Sequence, residues 1–271
     1  MLTFRLFYRV AFVMSIVGTV AFSCTQQPKQ VDPINSEFTE NQAKAIDHSA
    51  LAVSFQNPYD SIGQYHNQIL DAFISRYDVD EMSAEVCASV IDSFLNQKWG
   101  PLTEEQAQQL DDLTVLFESH SAEQIDSINV ALMEAEGSSA AFKSYYHEIG
   151  DAFLGMQKDV IISELVDIEQ RISSDEALSE EEQVILLVST SVARYSTAYW
   201  AAVAGNPSSP WFNYSGEIDF IWYDVGKSDA RGGISGGIGG ALGGGVPGAV
   251  GGAILGAALG SLIDAGSQLL F

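Results

Sequence analysis

The sequence predicts an all-α fold: a multi-helix bundle domain, preceded by a cleavable amino-terminal segment and followed by a glycine-rich helical hairpin. Three observations point there. Apolar residues recur at helical spacing through 36–205, and period-two alternation is nearly absent. Acidic residues and Ser or Thr caps open these segments, and glycine or proline closes them. In the tail, glycine occupies every fourth position: Gly232, Gly236, Gly240, Gly244, Gly248, Gly252, Gly256 and Gly260.

At the amino terminus, residues 1–23 join a short basic start (Arg5, Arg9) to an apolar core over 10–20 and then to Ala21-Phe22-Ser23 before Cys24. This is the layout of a secretory signal peptide. Small residues at 21 and 23 followed directly by cysteine resemble the lipobox of bacterial lipoproteins. The resemblance implies cleavage before Cys24, diacylglycerol on its sulfur, and membrane lipid as a partner through the acylated residue. Cleavage near Ser23 with a free thiol, or an uncleaved anchor, are the alternatives. Residues 24–35 carry Gln, Pro and Lys without helical period and read as an extended tether.

Charge narrows the partners. Asp and Glu number 36 against 12 Lys and Arg, a net charge of −24, which becomes −26 once Arg5 and Arg9 leave with the signal. Phosphate backbones are met by Lys and Arg, so nucleic acid is excluded as a partner. Attraction to anionic lipid surfaces is disfavoured for the same reason. With 46% hydrophobic and 10% aromatic residues the chain is too apolar for a disordered acidic polymer. The roughly 170 residues of the domain suffice for one core.

Within 36–205 the helices are expected in sequence. Glu37–Phe55 is closed by Asn57-Pro58. A second helix carries Ile62, Tyr65, Ile69, Leu70, Phe73 and Tyr77 on one side, and Met82–Trp99 is a third, ended by Gly100-Pro101. Thr103-Glu-Glu-Gln106 and Ser179-Glu-Glu-Glu182 are capping boxes. Between them, Ser121–Glu136 is one helix and Ser138–Ile172 a long one, with bends expected at Gly150 or Gly155. The helix opened at Ser179 runs to Ala204 and is the most apolar of the domain, hence central. Residues 206–231 form an aromatic connector in which Ile218–Val225 shows some alternation, readable also as a lead-in to the tail.

No catalytic set emerges, so the chain reads as non-enzymatic, and no cofactor or metal is implied. His147-Glu148 lacks a second histidine one turn on, and His48, His66, His120 and His147 are scattered. Cys87 shares a helical stripe with Ala84, Ala88 and Ile91, as a small buried side chain does. A possible ligand pocket gathers His66, Asn67 and Arg194, whereas the plain reading makes them structural. In that reading His66 bonds a neighbouring helix, and Arg194 finds an acidic partner or an aromatic face.

The tail, 232–271, is uncharged through Ile263, and a second small row, Gly237 to Ala265, runs beside the glycines. In a helix these rows make one smooth strip that admits another helix closely. Pro247 would kink a single span or mark the turn of a hairpin, each half then being about 23 Å long. Flexible linkers, the bland alternative, lack regular aliphatics. The run resembles glycine-zipper segments and, more loosely, the Gly/Ala-rich helices of class II bacteriocins. Together with the lipobox, Asn57-Pro58…His66-Asn67 and Ala193-Arg-Tyr-Ser196…Tyr199-Trp200, it is similar to helical lipoproteins of Gram-negative bacteria that have no assigned activity.

The expected function is therefore a cell-envelope lipoprotein, at the outer membrane in preference to the inner, whose zipper serves membrane insertion or homo-oligomerisation. A bacteriocin-like membrane-active effector, and a helical ligand-binding module with the tail packed on the domain, are the alternatives.

Overall fold

Helix starts are written into this chain as side-chain caps, and the structure, a computed structural model, uses them. It describes residues 54, 56–155, 157–212 and 220–270. The signal peptide 1–23, Cys24, the tether, His48 and nearly all of the helix expected over Glu37–Phe55 lie outside the described residues.

The described helices are α1 (Asp60–Ile74), α2 (Ala84–Trp99), α3 (Glu104–Ser119), α4 (Ala122–Ala135), α5 (Ala140–Ala152), α6 (Lys158–Ser174), α7 (Glu180–Ala204) and α8 (Trp222–Leu270), with no strand among the described residues. Both expected capping boxes form, at Thr103/Gln106 and Ser179/Glu182, and Ser121/Gln124 makes a third. Each such cap contributes on the order of 1 kcal/mol. Glu182 also ties elements together, because its second carboxylate oxygen accepts from the Ser139 N–H at 2.7 Å.

The helix expected over Ser138–Ile172 is divided at Gly155, one of the two places where a bend was expected. It stops at Ala152, passes through a tight turn at Phe153–Gly155, and restarts at Lys158. Phe153 is buried there, against Gly226 at the base of α8, where an added Cβ would stand 2.9 Å from its ring. The alternation noted near Ile218–Val225 is not a strand where it is described, since Trp222–Val225 open α8.

α7 is central, as its composition implied: every residue from Val184 to Trp200 is buried. A helix apolar on one stripe alone would not be enclosed this way. Its buried hydroxyls, Ser189 excepted, are satisfied within the helix or across to neighbours. Thr190 donates to the Leu186 carbonyl at 2.9 Å and Thr197 to that of Ala193 at 2.6 Å.

α8 is a hairpin. Gly245 adopts φ 58°, ψ −145°, a backbone closed to ordinary side chains, and Pro247 follows two residues later. The arms 222–244 and 246–270 run back along each other. Their four-residue glycine rows meet as rungs symmetric about Gly244: Gly232 with Gly256, Gly236 with Gly252, and Gly240 with Gly248. In each pair, a Cβ on either glycine would overlap the carbonyl of the other. Ser228 and Gly260 add a fourth rung at the base, with 3.0 Å between the Ser228 carbonyl and a Cβ at Gly260. Among the described residues nothing stands within 4 Å of a Cβ at Gly244.

The second small row of the first arm rests on α7, Gly233 against Ser189 and Gly237 against Ile185. On the other side α3 is joined through Gln109, whose amide donates to the Gly236 carbonyl at 2.7 Å. α8 is long and apolar enough to cross a membrane by length and composition, but 67% of its most apolar stretch is buried inside the protein. Hairpin and helices belong to one unit, Ala45–Phe271.

Alanine normally improves a helix relative to glycine by roughly 1 kcal/mol. On the ladder the sign reverses. Gly236→Ala is expected to destabilise by about 1–3 kcal/mol, because backbone cannot yield as a side chain can. Gly244→Ala should be neutral or stabilising. Urea unfolding of the two variants side by side tests the ladder, and equal midpoints would refute it.

Candidate functional site

Two buried polar clusters bind α1 and α6 to α7, and α7 to the hairpin, and they contain every residue that the sequence offered for a pocket. The first surrounds Arg194, which is fully buried. Its Nη2 meets Asp60 at the start of α1, and its Nε donates to Glu169 Oε1 of α6 at 3.0 Å. Asn57 donates from one amide nitrogen to the same Glu169 oxygen and to the Leu187 carbonyl, both at 2.8 Å. Tyr195 donates to the other Asp60 oxygen at 2.9 Å. Burial pushes Glu169 upward in pKa, and the charge of Arg194 and the Asn57 amide hold it down.

Close approach makes this possible. Gly63 lies where a Cβ would strike the Tyr195 ring and the Ser191 carbonyl, and its N–H donates to Ser191 Oγ at 3.2 Å. The Asn57-Pro58…Asp60…Gly63 stretch and the Ala193-Arg194-Tyr195-Ser196 stretch are thus two halves of one helix–helix joint.

The second cluster surrounds Asp229, on the first arm of α8. Ser196 of α7 donates to its Oδ2, and Ser261 of the second arm donates to the same oxygen at 2.9 Å. Trp200 donates to Ser261 Oγ at 2.9 Å. His66 of α1 stands with Nε2 3.5 Å from Asp229 Oδ2, and both side chains are fully buried. Asn67 donates to the Tyr195 carbonyl at 3.1 Å, which turns its oxygen toward His66 Nδ1 at 3.0 Å. The Asn67 oxygen thus offers His66 Nδ1 an acceptor for an N–H.

Burial pulls His66 down to about 4, against the opposing hydrogen bonds of Asn67 and the Ala257 carbonyl. Burial raises Asp229 well above the usual carboxylate range, with Ser196 and Ser261 opposing. Burial thus favours the neutral form of both partners. Their 3.5 Å spacing is longer than a charge-assisted hydrogen bond.

A serine, a histidine and an aspartate thus meet, but not in the order that nucleophilic catalysis needs. Both serines donate to the carboxyl rather than to the imidazole, and no solvent reaches them. Asn67 is only half-buried, while His66 and Arg194 are sealed. Cys87 is fully buried, and burial pushes its thiol up to about 12. His147 is exposed, and no group of three metal-ligating side chains occurs among the described residues.

Of the zipper glycines offered for helix packing, Gly232, Gly236, Gly240, Gly248, Gly252 and Gly256 form the rungs, Gly260 sits at the base, and Gly244 falls at the turn. Cys24 lies outside the described residues. The sequence reading missed Glu169, Asp229 and Ser261. A signal was present in the register: Glu169 sits on the apolar stripe of Leu165, Ile168 and Ile172, and Asp229 is in line with Gly233 and Gly237.

A groove of about 700 Å³ opens elsewhere, between the start of α2, the α3–α4 corner and the second arm of α8. His120 and Asp264 line it. Comparison with known protein families, with curated proteins and with solved structures finds no match.

Arg194→Ala would leave Asp60 and Glu169 facing each other without a cation, and is expected to cost about 3–5 kcal/mol of stability. Asp229 sets a pH signature. A carboxyl raised in the fold contributes stability that is complete below its unfolded pKa and is lost as pH rises through the folded value. Asp229→Asn removes that loss. Relative to the parent protein, the variant should gain stability in urea unfolding as pH rises above the ordinary carboxylate range. A parallel pH profile for the two proteins would refute a raised carboxyl at Asp229.

Proposed function

We propose that this chain is a lipid-tethered, non-enzymatic binding module of a Gram-negative cell envelope. In this reading acyl chains on Cys24 hold it at the membrane, the outer in preference to the inner, and the glycine hairpin stays packed as part of the helical domain. The observation that carries the reading is the closure of the glycine ladder on itself. The smooth strip that another helix or a second copy would need is occupied by the chain's own second arm. Asp229 strengthens the closure by tying both arms to α7 through Ser196 and Ser261. The tether rests on Ala21-Phe22-Ser23-Cys24.

The apolar length of α8 favours a second reading, in which the hairpin inserts into a bilayer or self-associates. Insertion would require leaving α7 and exposing the polar faces that line its bed. A bacteriocin-like effector requires the same release and then delivery outward.

Carbonate extraction of the full-length protein with Cys24→Ser separates these readings. With the lipid site removed, a packed hairpin predicts a soluble protein, and the parent is expected in the membrane fraction. Retention of the variant in the pellet, lost when the same variant is truncated after Asp229, would mean that the hairpin is itself a membrane device.

A further inference from the structure

The groove beside the hairpin has an electrostatic character unlike the two sealed clusters. Its floor is apolar, with Phe117, Ile125 and Ile263, and Met82 stands at one side. Asp264 and Glu118 supply carboxylates, and the lining contains neither lysine nor arginine. Asp264 is partly buried, and among the described residues its hydrogen bond comes from the Gln268 amide of its own helix at 3.3 Å. Burial raises its pKa to about 6, and the carboxylates of Asp224 on the first arm and Glu123 on α4 push in the same direction. Asp229 lies close enough to feel the Asp264 charge. The cations nearby are engaged elsewhere: Arg231 pairs with Asp126 at 3.0 Å, and Lys227 stands by Asp224.

The starts of two helices also reach the groove, at Ser83 and Ser121, and helix starts attract anions. Both are capped from within. Ser83 Oγ accepts from the Val86 N–H, and Ser121 exchanges hydrogen bonds with Gln124. The carboxylates therefore set the sign of the site. A metal ion finds no third ligating side chain among the described residues. The volume is of the size that holds a small organic molecule.

We propose that this groove binds a small apolar amine, its ammonium group against Asp264 and its hydrocarbon body on Phe117, Ile263 and Met82. The assignment rests on the binding-module reading, because the groove exists only while the hairpin is packed. An ammonium supplies the positive partner that Asp264 lacks among the described residues, and an aliphatic chain covers the apolar floor. His120, half-exposed at the rim, turns its Nδ1 to the Leu116 carbonyl at 3.0 Å and leaves the mouth open to a cation.

The test is calorimetric titration of the full-length Cys24→Ser protein with n-octylamine, n-octanol and octanoate. At about pH 7.5 the amine should bind at least about tenfold more tightly than the alcohol, since a charged hydrogen bond is worth that much. Octanoate should be weakest. Asp264→Asn should bring the amine down to the level of the alcohol. Lowering the pH to about 5 should do the same, by protonating Asp264. Ser267→Trp, which places a bulky ring at the exposed rim, should abolish binding of both.

Amine and alcohol binding equally, or Asp264→Asn leaving the difference intact, would overturn the assignment. Near-ultraviolet circular dichroism of each protein, recorded in parallel, keeps the two levels distinct. Loss of the tertiary signal in the parent would be a failure of the packed-hairpin reading. An intact signal without selective amine binding is a failure of the groove assignment alone.

Discussion

Contact between two stretches of bare backbone organises this molecule. Helices in water are normally separated by their side chains, at about 8–10 Å between axes. The arms of α8 dispense with that layer at Gly232/Gly256, Gly236/Gly252 and Gly240/Gly248, so carbonyls of one arm rest on the backbone of the other. The approach makes the hairpin slim enough to fit between α3 and α7, and it offers a smooth outer row for α7 to lie on. It also accounts for a tail with 14 glycines over 232–260. Glycine is a poor helix former in isolation, and the tertiary contact that only glycine permits offsets the deficit.

The polar clusters follow from that geometry. A hairpin this bare offers little side-chain interdigitation, so directional bonds fix its position along α7. Asp229 accepts from Ser196 of α7 and Ser261 of the opposite arm, so a single carboxyl links three helical segments. Arg194 does the same on the far face of α7, drawing Asp60 and Glu169 together. Buried polar groups of this kind add little net stability, but they penalise every register in which they go unpaired. The structure thus combines a non-specific element, a smooth strip, with two specific ones that select one docking position.

Much of this was legible in the chain. The capping boxes at Thr103 and Ser179, the enclosure of α7, the need of Arg194 for an acidic partner, and the choice of Pro247 as the neighbourhood of a turn were all local properties. Caps act within one turn, and apolar periodicity reports burial wherever the partner comes from. In the helix expected over Ser138–Ile172, Gly155 marked the place of the bend but not that the helix would stop there. Its break at Phe153 is set by a distant neighbour, Gly226, that receives the ring. Glu169 and Asp229 were hidden for a related reason: a lone carboxylate in a helix is ordinarily solvated, and only a partner brought from more than 20 residues away gives it a role.

The sequence by itself determined that the tail would present a small-residue strip, since a four-residue repeat on a 3.6-residue helix can do nothing else. It also set the pairing once a turn near Gly244 was granted, because two arms with the same repeat can mate only as symmetric rungs. What covers the outside of the strip was decided by tertiary structure. A bilayer, a second copy and the chain's own α7 would all satisfy a row of glycines and alanines, for van der Waals contact does not distinguish among them. The choice fell to α7 through Ser189 and Ile185 at the strip and Ser196 at Asp229. Those contacts join residues roughly 30 to 50 positions apart, and no local pattern encodes them.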